Sequence, residues 1–148
     1  MRLTVFVLFW AVGLIHLLPL PGVLGGERLA MLYGIQMHEP NVVLLLRHRA
    51  VLFAIVGGLL IAAAFLPEIR MAALLAGGVS TVSFLALVPP EGTSAELRRV
   101  ARIDVLAIGL LFVVAVIVAL QRRSSTASEP LDGSQSSKDA RVERYPHR

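Results

Sequence analysis

Long hydrophobic runs alternate with short polar stretches along this chain, and each of those stretches contains proline or glycine. Runs of this length predict four membrane-spanning helices, over residues 3–24, 40–66, 71–88 and 94–121. Residues 122–148 are polar, rich in serine and poor in large apolar groups, so they are expected to form a disordered tail. The pattern therefore predicts an all-α, polytopic membrane protein: a four-transmembrane-helix bundle in one domain over residues 1–121, followed by the tail.

Two local patterns describe the connections between these helices. The stretch TSAE, residues 93–96, has the form of a capping box and predicts Thr93 as the N-cap of a helix that starts near Ser94. Residues 25–41 form a mixed connection. Apolar residues at helical spacing within it predict a short interfacial helix: Leu29, Leu32, Tyr33 and Ile35.

The third predicted helix carries small residues four positions apart. They form two adjacent registers: Ala73, Gly77 and Thr81, and Ala72, Ala76 and Ser80. Small residues at this spacing let two helix backbones approach closely within a bilayer. Gly57 and Gly58 on the second helix are therefore expected to pack against this stripe.

The composition supports membrane insertion and excludes several kinds of chemistry. Hydrophobic residues make up 56% of the 148 residues, and the mean hydropathy of +0.76 is typical of a transmembrane protein. The absence of cysteine excludes disulfides, thiolate metal ligands and cysteine nucleophiles. The net charge of +4 comes from arginines between apolar helices, so we expect membrane lipids as partners and no nucleic acid. No pattern indicates a cofactor.

Four spans place both termini on one side of the membrane and most of the polar chemistry on the other side. The polar residues of that second side predict a binding site: Arg47, His48, Arg49, Asp104, His16 and Arg102. Arg47 lies roughly 10 Å along its helix from Pro40, a depth from which an arginine can reach lipid headgroups. The distribution of arginines favours an orientation with both termini in the cytoplasm, so that this cluster faces outward.

Asp104 is the most informative residue of this group. It shares a helix face with apolar residues, which places it inside the bundle, where an unpaired carboxylate is costly. Successive helical residues turn by ~100°, so Arg47 and Arg49 point to nearly opposite sides and at most one faces the interior. We therefore predict an ion pair between Asp104 and Arg47 or Arg49, with His48 or His16 nearby.

Several interpretations of these residues remain open. Residues 47–49 fit interfacial anchoring with one structural ion pair, which we favour, but also a site for an anionic headgroup, or catalysis. His16 fits a hydrogen-bonded residue at a helix end, or a proton carrier. The spacing of the histidines lacks the two-histidine pattern of a helical metal motif, so we predict no metal site and assign no catalytic residue.

Three blocks of the sequence resemble a family of short bacterial four-helix membrane proteins with DoxX-like architecture. The blocks are GLIHLLPLPGVLGGERLAMLYG, NVVLLLRHRAVLFAIVGG and LRRVARIDVLAIG, within residues 1–120. The resemblance implies the fold and a location in the bacterial plasma (inner) membrane, and DoxX-like relatives suggest a link to membrane redox or quinone systems. Members sometimes carry the label phosphopantetheine adenylyltransferase, which this sequence does not support, because it has neither a nucleotide-binding α/β sheet nor a paired-histidine motif.

These patterns favour a structural, accessory or lipid-interacting membrane protein, rather than an enzyme. The alternatives are a small proton-linked transporter, which uses Asp104 and a histidine, and a membrane-embedded enzyme that acts on a lipid or quinone. The enzyme predicts a lateral pocket that reaches His16 and His48. The accessory function predicts a membrane protein partner, and a homo-oligomer is also expected for the transporter.

Overall fold

The fold is described from a computed structural model, which covers residues 2–34, 36, 39–89 and 91–126. Its helices, which we number in chain order, are α1 (Arg2–Leu17), α2 (Gly26–Tyr33), α3 (Pro40–Phe65), α4 (Arg70–Leu87) and α5 (Ala95–Thr126). Two 3₁₀ turns, Leu20–Leu24 and Pro67–Ile69, follow α1 and α3. No strand occurs among the described residues.

Four of these segments are long and apolar enough to cross a membrane: Arg2–Leu24, Pro40–Phe65, Pro67–Leu87 and Ala95–Gln121. The predicted all-α bundle of four spanning helices is therefore confirmed. The first helix ends earlier than predicted, at Leu17, because Pro19 and Pro21 lack the backbone N–H groups that would continue it. The last helix continues to Thr126, beyond the predicted end at residue 121.

The predicted short helix between the first two spans is also present, as α2. It ends at Tyr33 because Gly34 adopts a left-handed conformation with φ of 65°, which glycine tolerates best. Leu29 and Tyr33 are buried, whereas Ile35 lies outside the described residues. The tail that we predict to be disordered also lies outside them from residue 127 onward.

The chain divides into two compact units, Met1–Val118 and Ala119–Arg148. The described part of the second unit is the helical segment up to Thr126. The first unit contains a core of apolar side chains from all four long helices, among them Phe9, Val12, Leu60, Ala63, Ala73, Ala107 and Val114.

Large apolar side chains also cover the outer surface of the first unit. Leu45, Ile55, Leu75 and Phe112 are all well exposed, although each belongs to an apolar run. In water such a surface would promote aggregation, but in a bilayer it contacts lipid chains of the same polarity. The interior and exterior are therefore both apolar, and small residues and polar contacts have to specify the packing.

Two glycines lie where α1 and α3 approach each other closely. A β-carbon at Gly57 would lie 2.9 Å from the carbonyl oxygen of Gly13, and one at Gly13 would lie 2.6 Å from Ile61 Cγ1. Only glycine leaves room for the two backbones at this distance. The two glycines therefore determine how closely α1 and α3 pack.

The predicted pairing of the α4 stripe with Gly57 and Gly58 is wrong. Ala73, Gly77 and Thr81 are buried, as that register requires, but Gly77 packs against the side chains of Leu60 and Leu111. Gly57 meets α1 instead, and Gly58 faces open space. Side chains of α3 and α5 therefore pack against the small residues of α4, and the backbone at Gly57 and Gly58 does not.

The start of α5 differs from the predicted capping box. Ser94, not Thr93, is the N-cap, because its Oγ accepts a hydrogen bond from the backbone N–H of Leu97 at 3.1 Å. The hydroxyl of Thr93 donates instead to the carbonyl of Pro89 at 2.8 Å. Ser94 Oγ also donates to the carbonyl of Tyr33 at 2.7 Å, so one hydroxyl both caps α5 and attaches it to the end of α2.

Candidate functional site

Arg49 occupies the centre of the candidate site. It lies on α3, and its guanidinium carbon lies over three aromatic rings, at 4.4 Å from the centroid of Phe84, 5.1 Å from that of Phe53 and 5.9 Å from that of Tyr33. Cation–π contacts of this kind stabilise the charge through the faces of the rings and do not use its N–H groups. Within the described chain, the guanidinium donates no hydrogen bond and has no carboxylate within 4.0 Å.

A cavity of about 230 Å³ adjoins Arg49 and is bounded by α1, α2, α3 and α5. Its charged lining consists of two arginines and two acidic residues: Arg49, Arg99, Glu96 and Asp104. Tyr33 and Phe53 supply aromatic walls, and Ile15, Leu18 and Val100 supply apolar ones. The cavity therefore offers positive and negative groups within an otherwise apolar enclosure.

Asp104 faces the bundle, as its helical position predicts, and is only 5% exposed. Its Oδ2 atom is buried and accepts no hydrogen bond from any described residue. The predicted ion pair is not formed: Asp104 and Arg49 line one cavity and attract each other electrostatically, but no N···O distance is within 4.0 Å. The guanidinium is held by the aromatic rings, which keeps it away from the carboxylate.

Tyr33 lies in the site because a hydrogen bond joins the end of α2 to the start of α5. The hydroxyl of Ser94 holds the Tyr33 carbonyl, and the absence of a side chain at Gly34 leaves room for the Glu96 carboxylate. Burial raises the pKa of the Tyr33 phenol, the nearby charge of Arg49 lowers it, and that of Asp104 raises it. The phenol therefore remains protonated at neutral pH and keeps its hydrogen-bond donor.

His16 is a buried structural link between α1 and α4. Its Nδ1 lies 2.9 Å from the carbonyl of Val12, and its Nε2 lies 3.4 Å from the hydroxyl of Thr81, which donates to the carbonyl of Gly77 at 2.8 Å. The imidazole also stacks on Phe53 with centroids 5.8 Å apart. His16 thus supports one aromatic wall of the site but does not line the cavity.

The other three predicted site residues lie outside the cavity. Arg47 is exposed and donates from Nε to the carbonyl of Val23 at 2.8 Å, so it braces the 3₁₀ turn after α1. His48 and Arg102 are exposed on α3 and α5. Of the two arginines only Arg49 lines the cavity, which agrees with the prediction that at most one of them faces the interior.

A second, larger depression of about 440 Å³ runs along the outside of α3 and α4. Its lining is mostly apolar, with Leu52, Val56, Phe84, Leu87 and Leu97 among its residues, and its polar residues are Arg49, Ser80 and Ser83. Arg49 and Phe53 line this groove as well as the cavity, so the two spaces share one wall. Arg49 therefore lies between a mostly apolar groove of α3 and α4 and a cavity that contains charged residues.

Sequence reasoning missed Tyr33, Phe53, Phe84, Glu96 and Arg99 as parts of the site. Phe53 follows Arg49 by one helical turn, which is a signal that the sequence contains. The others come from α2, α4 and α5, and their convergence depends on how these helices pack, which no local pattern specifies.

No metal site is evident in the part of the chain that the structure covers, since no three His, Asp or Glu side chains there are placed to share an ion. His38 lies outside the described residues.

No family model, curated protein or solved structure matches this chain. The DoxX-like resemblance therefore stays a prediction, and the geometry of the site has to carry the functional argument.

Proposed function

We propose that this protein binds a phosphate-bearing membrane lipid, with the phosphate on Arg49 and an apolar chain in the groove between α3 and α4. The observation that carries the proposal is the state of Arg49. Its guanidinium is half-buried, is surrounded by aromatic rings, and has no hydrogen-bond acceptor among the described residues. A phosphate would supply this acceptor, since its oxygens can accept two parallel hydrogen bonds from the planar guanidinium.

The geometry around Arg49 favours an anion over a neutral ligand. The Arg49 guanidinium lies over the ring faces of Phe53 and Phe84, and contacts of this kind do not use its N–H groups as hydrogen-bond donors. In a low-dielectric setting the attraction between a guanidinium and a phosphate is stronger than in water. The aromatic contacts therefore hold a cation at the wall of the cavity, where an anionic group can reach it.

The groove supports an amphiphilic ligand, rather than a small anion. Its lining is mostly apolar, it is open on one side, and Arg49 forms part of its wall. A lipid chain there would exchange one apolar contact for another, so the chain positions the ligand and the phosphate–arginine contact provides most of the selectivity.

Replacing Arg49 with glutamine tests the proposal. We expect the amount of phospholipid retained through gentle purification, measured per chain by native mass spectrometry, to fall at least about tenfold, because a charge-assisted hydrogen bond contributes about 1.5–3 kcal/mol. Arg102→Gln is the matched control, since Arg102 is an exposed arginine that lines neither space. We expect it to retain lipid as the unmodified chain does.

The same experiment separates a lipid from a free anion. Inorganic phosphate added at millimolar concentration should displace the ligand if the site holds a small anion, and should leave it in place if the apolar chain contributes. Equal retention of phospholipid by the Arg49→Gln and Arg102→Gln chains would contradict the proposal.

We also propose that the chain lies in a bacterial plasma membrane with both termini in the cytoplasm, which places the site at the outer face. The exposed connection between α4 and α5 would then lie outside the cell, and the turn between α3 and α4 inside. Support comes from the positive-inside tendency, because Arg47 and Arg49 are engaged by the protein and contribute little free charge to the outer side.

The lack of native cysteine makes this orientation simple to test. Glu91 and Glu68 are exposed residues of the two opposite connections, so Glu91→Cys and Glu68→Cys form a matched pair. In intact cells a membrane-impermeant maleimide should label Glu91→Cys and leave Glu68→Cys unlabelled until the membrane is permeabilised. The reverse labelling would place the site at the cytoplasmic face.

A further inference from the structure

We infer that the headgroup held in the cavity carries a primary ammonium beside its phosphate, as phosphoethanolamine does, with the ammonium on Asp104 and the phosphate on Arg49. This inference rests on the proposed lipid-binding function and specifies the class of headgroup. Its starting point is a juxtaposition: one cavity is lined by an arginine without an acceptor and by a buried carboxylate without a donor.

Asp104 indicates a donor on the ligand. It is only 5% exposed, and no described residue donates a hydrogen bond to its Oδ2 atom. A buried polar atom without a partner is costly, and a carboxylate more so than a neutral group. An ammonium satisfies this carboxylate in both charge and hydrogen bonding.

The balance of charge in the cavity favours a zwitterion over a net anion. Arg49 and Arg99 offset Glu96 and Asp104, so the formal charges of the lining residues cancel. A ligand with only a phosphate would leave a negative excess beside Asp104. A ligand with both signs keeps the enclosure neutral and places each charge beside its opposite.

The hydrogen-bonding need of Asp104 and the size of the cavity favour a primary ammonium over a quaternary one. A trimethylated ammonium has the same charge but no N–H to donate, so it would leave Asp104 without a hydrogen bond. The cavity measures about 230 Å³, below the range of about 300–1,000 Å³ that is typical of pockets that enclose drug-sized ligands. It therefore suits a compact headgroup, and the lipid chains stay in the outer groove and the bilayer.

The test offers the purified full chain equimolar phosphatidylethanolamine, phosphatidylcholine and phosphatidylglycerol with identical acyl chains, and native mass spectrometry counts the bound species. We expect the unmodified protein to prefer phosphatidylethanolamine over both competitors by roughly tenfold, the effect of one charge-assisted hydrogen bond. In Asp104→Asn the preference over phosphatidylcholine should fall to about twofold while binding of lipid persists. Asp104→Glu, which keeps the charge, should retain the preference.

The outcomes separate this inference from the proposed function. Equal binding of phosphatidylethanolamine and phosphatidylcholine by the unmodified chain would overturn the ammonium assignment, whether or not the Asp104 variants fold. If the two lipids bound equally but Arg49→Gln abolished lipid binding, the proposed phosphate site at Arg49 would be supported and only the ammonium assignment would be wrong. Unchanged binding of all three lipids by Arg49→Gln would overturn both.

Discussion

Replacing Gly57 with valine is expected to lower the free energy of unfolding of the bundle by about 3 kcal/mol, the upper part of the usual range for overpacking. The first side-chain carbon would lie 2.9 Å from the backbone oxygen of Gly13 and 3.0 Å from a carbon of Leu17. A flexible side chain can move aside, but the oxygen belongs to helix backbone. To accept the valine, α1 and α3 have to separate along their contact.

Gly58→Val provides the matched control for this prediction. Gly58 is the adjacent residue in the same helix, and nothing lies within 4 Å of a β-carbon placed there. The intrinsic helical cost of the new side chain is nearly the same at both positions, so it cancels in the comparison. Titration with a denaturing detergent, followed by helical circular dichroism, measures both variants. Equal stability of the two would show that the α1–α3 approach is looser than described.

Replacing Phe9 with alanine is expected to cost about 3 kcal/mol. Phe9 is fully buried in α1 and is among the largest core side chains, so its removal leaves a cavity lined by atoms that lose their contacts. In a membrane protein this loss of packing is the main term, since the side chain gains little from leaving water. The prediction therefore tests whether the core is closely packed.

Phe112→Ala is the control for that measurement. Phe112 lies on α5 and is 68% exposed, so in the bilayer it contacts lipid chains that can fill the space an alanine leaves. The same detergent titration should give a loss below about 1 kcal/mol for this variant. A Phe112→Ala loss as large as that of Phe9→Ala would indicate that a protein surface covers this face of α5.

The architecture was predictable from the sequence because bilayer thickness sets the length of a spanning helix. Runs ended by proline or polar residues therefore mark the four spans to within a few residues. The inward direction of Asp104 was also predictable, since helical periodicity relates it to apolar neighbours. Both inferences depend on local geometry along one helix.

The composition of the site was less predictable, because it depends on how different helices pack. Helical geometry shows that Arg47 and Arg49 diverge, but not which of them faces inward. That choice follows from aromatic rings on α2 and α4 around Arg49, and from the Val23 carbonyl near Arg47. The position of Ser94 is equally hard to predict, since its second hydrogen bond is donated to the carbonyl of Tyr33 on another helix.

The most direct test of the central claim measures whether the Arg49 guanidinium touches a lipid phosphate. Solid-state NMR with ¹³C-labelled arginine side chains in phosphatidylethanolamine bilayers detects such contact as ³¹P dephasing of the Cζ signal. The Arg49 signal is the one that disappears in Arg49→Gln and persists in Arg102→Gln. We expect that signal to be strongly dephased, since a bidentate contact brings phosphorus within about 5 Å. An Arg49 signal without ³¹P dephasing would contradict the claim.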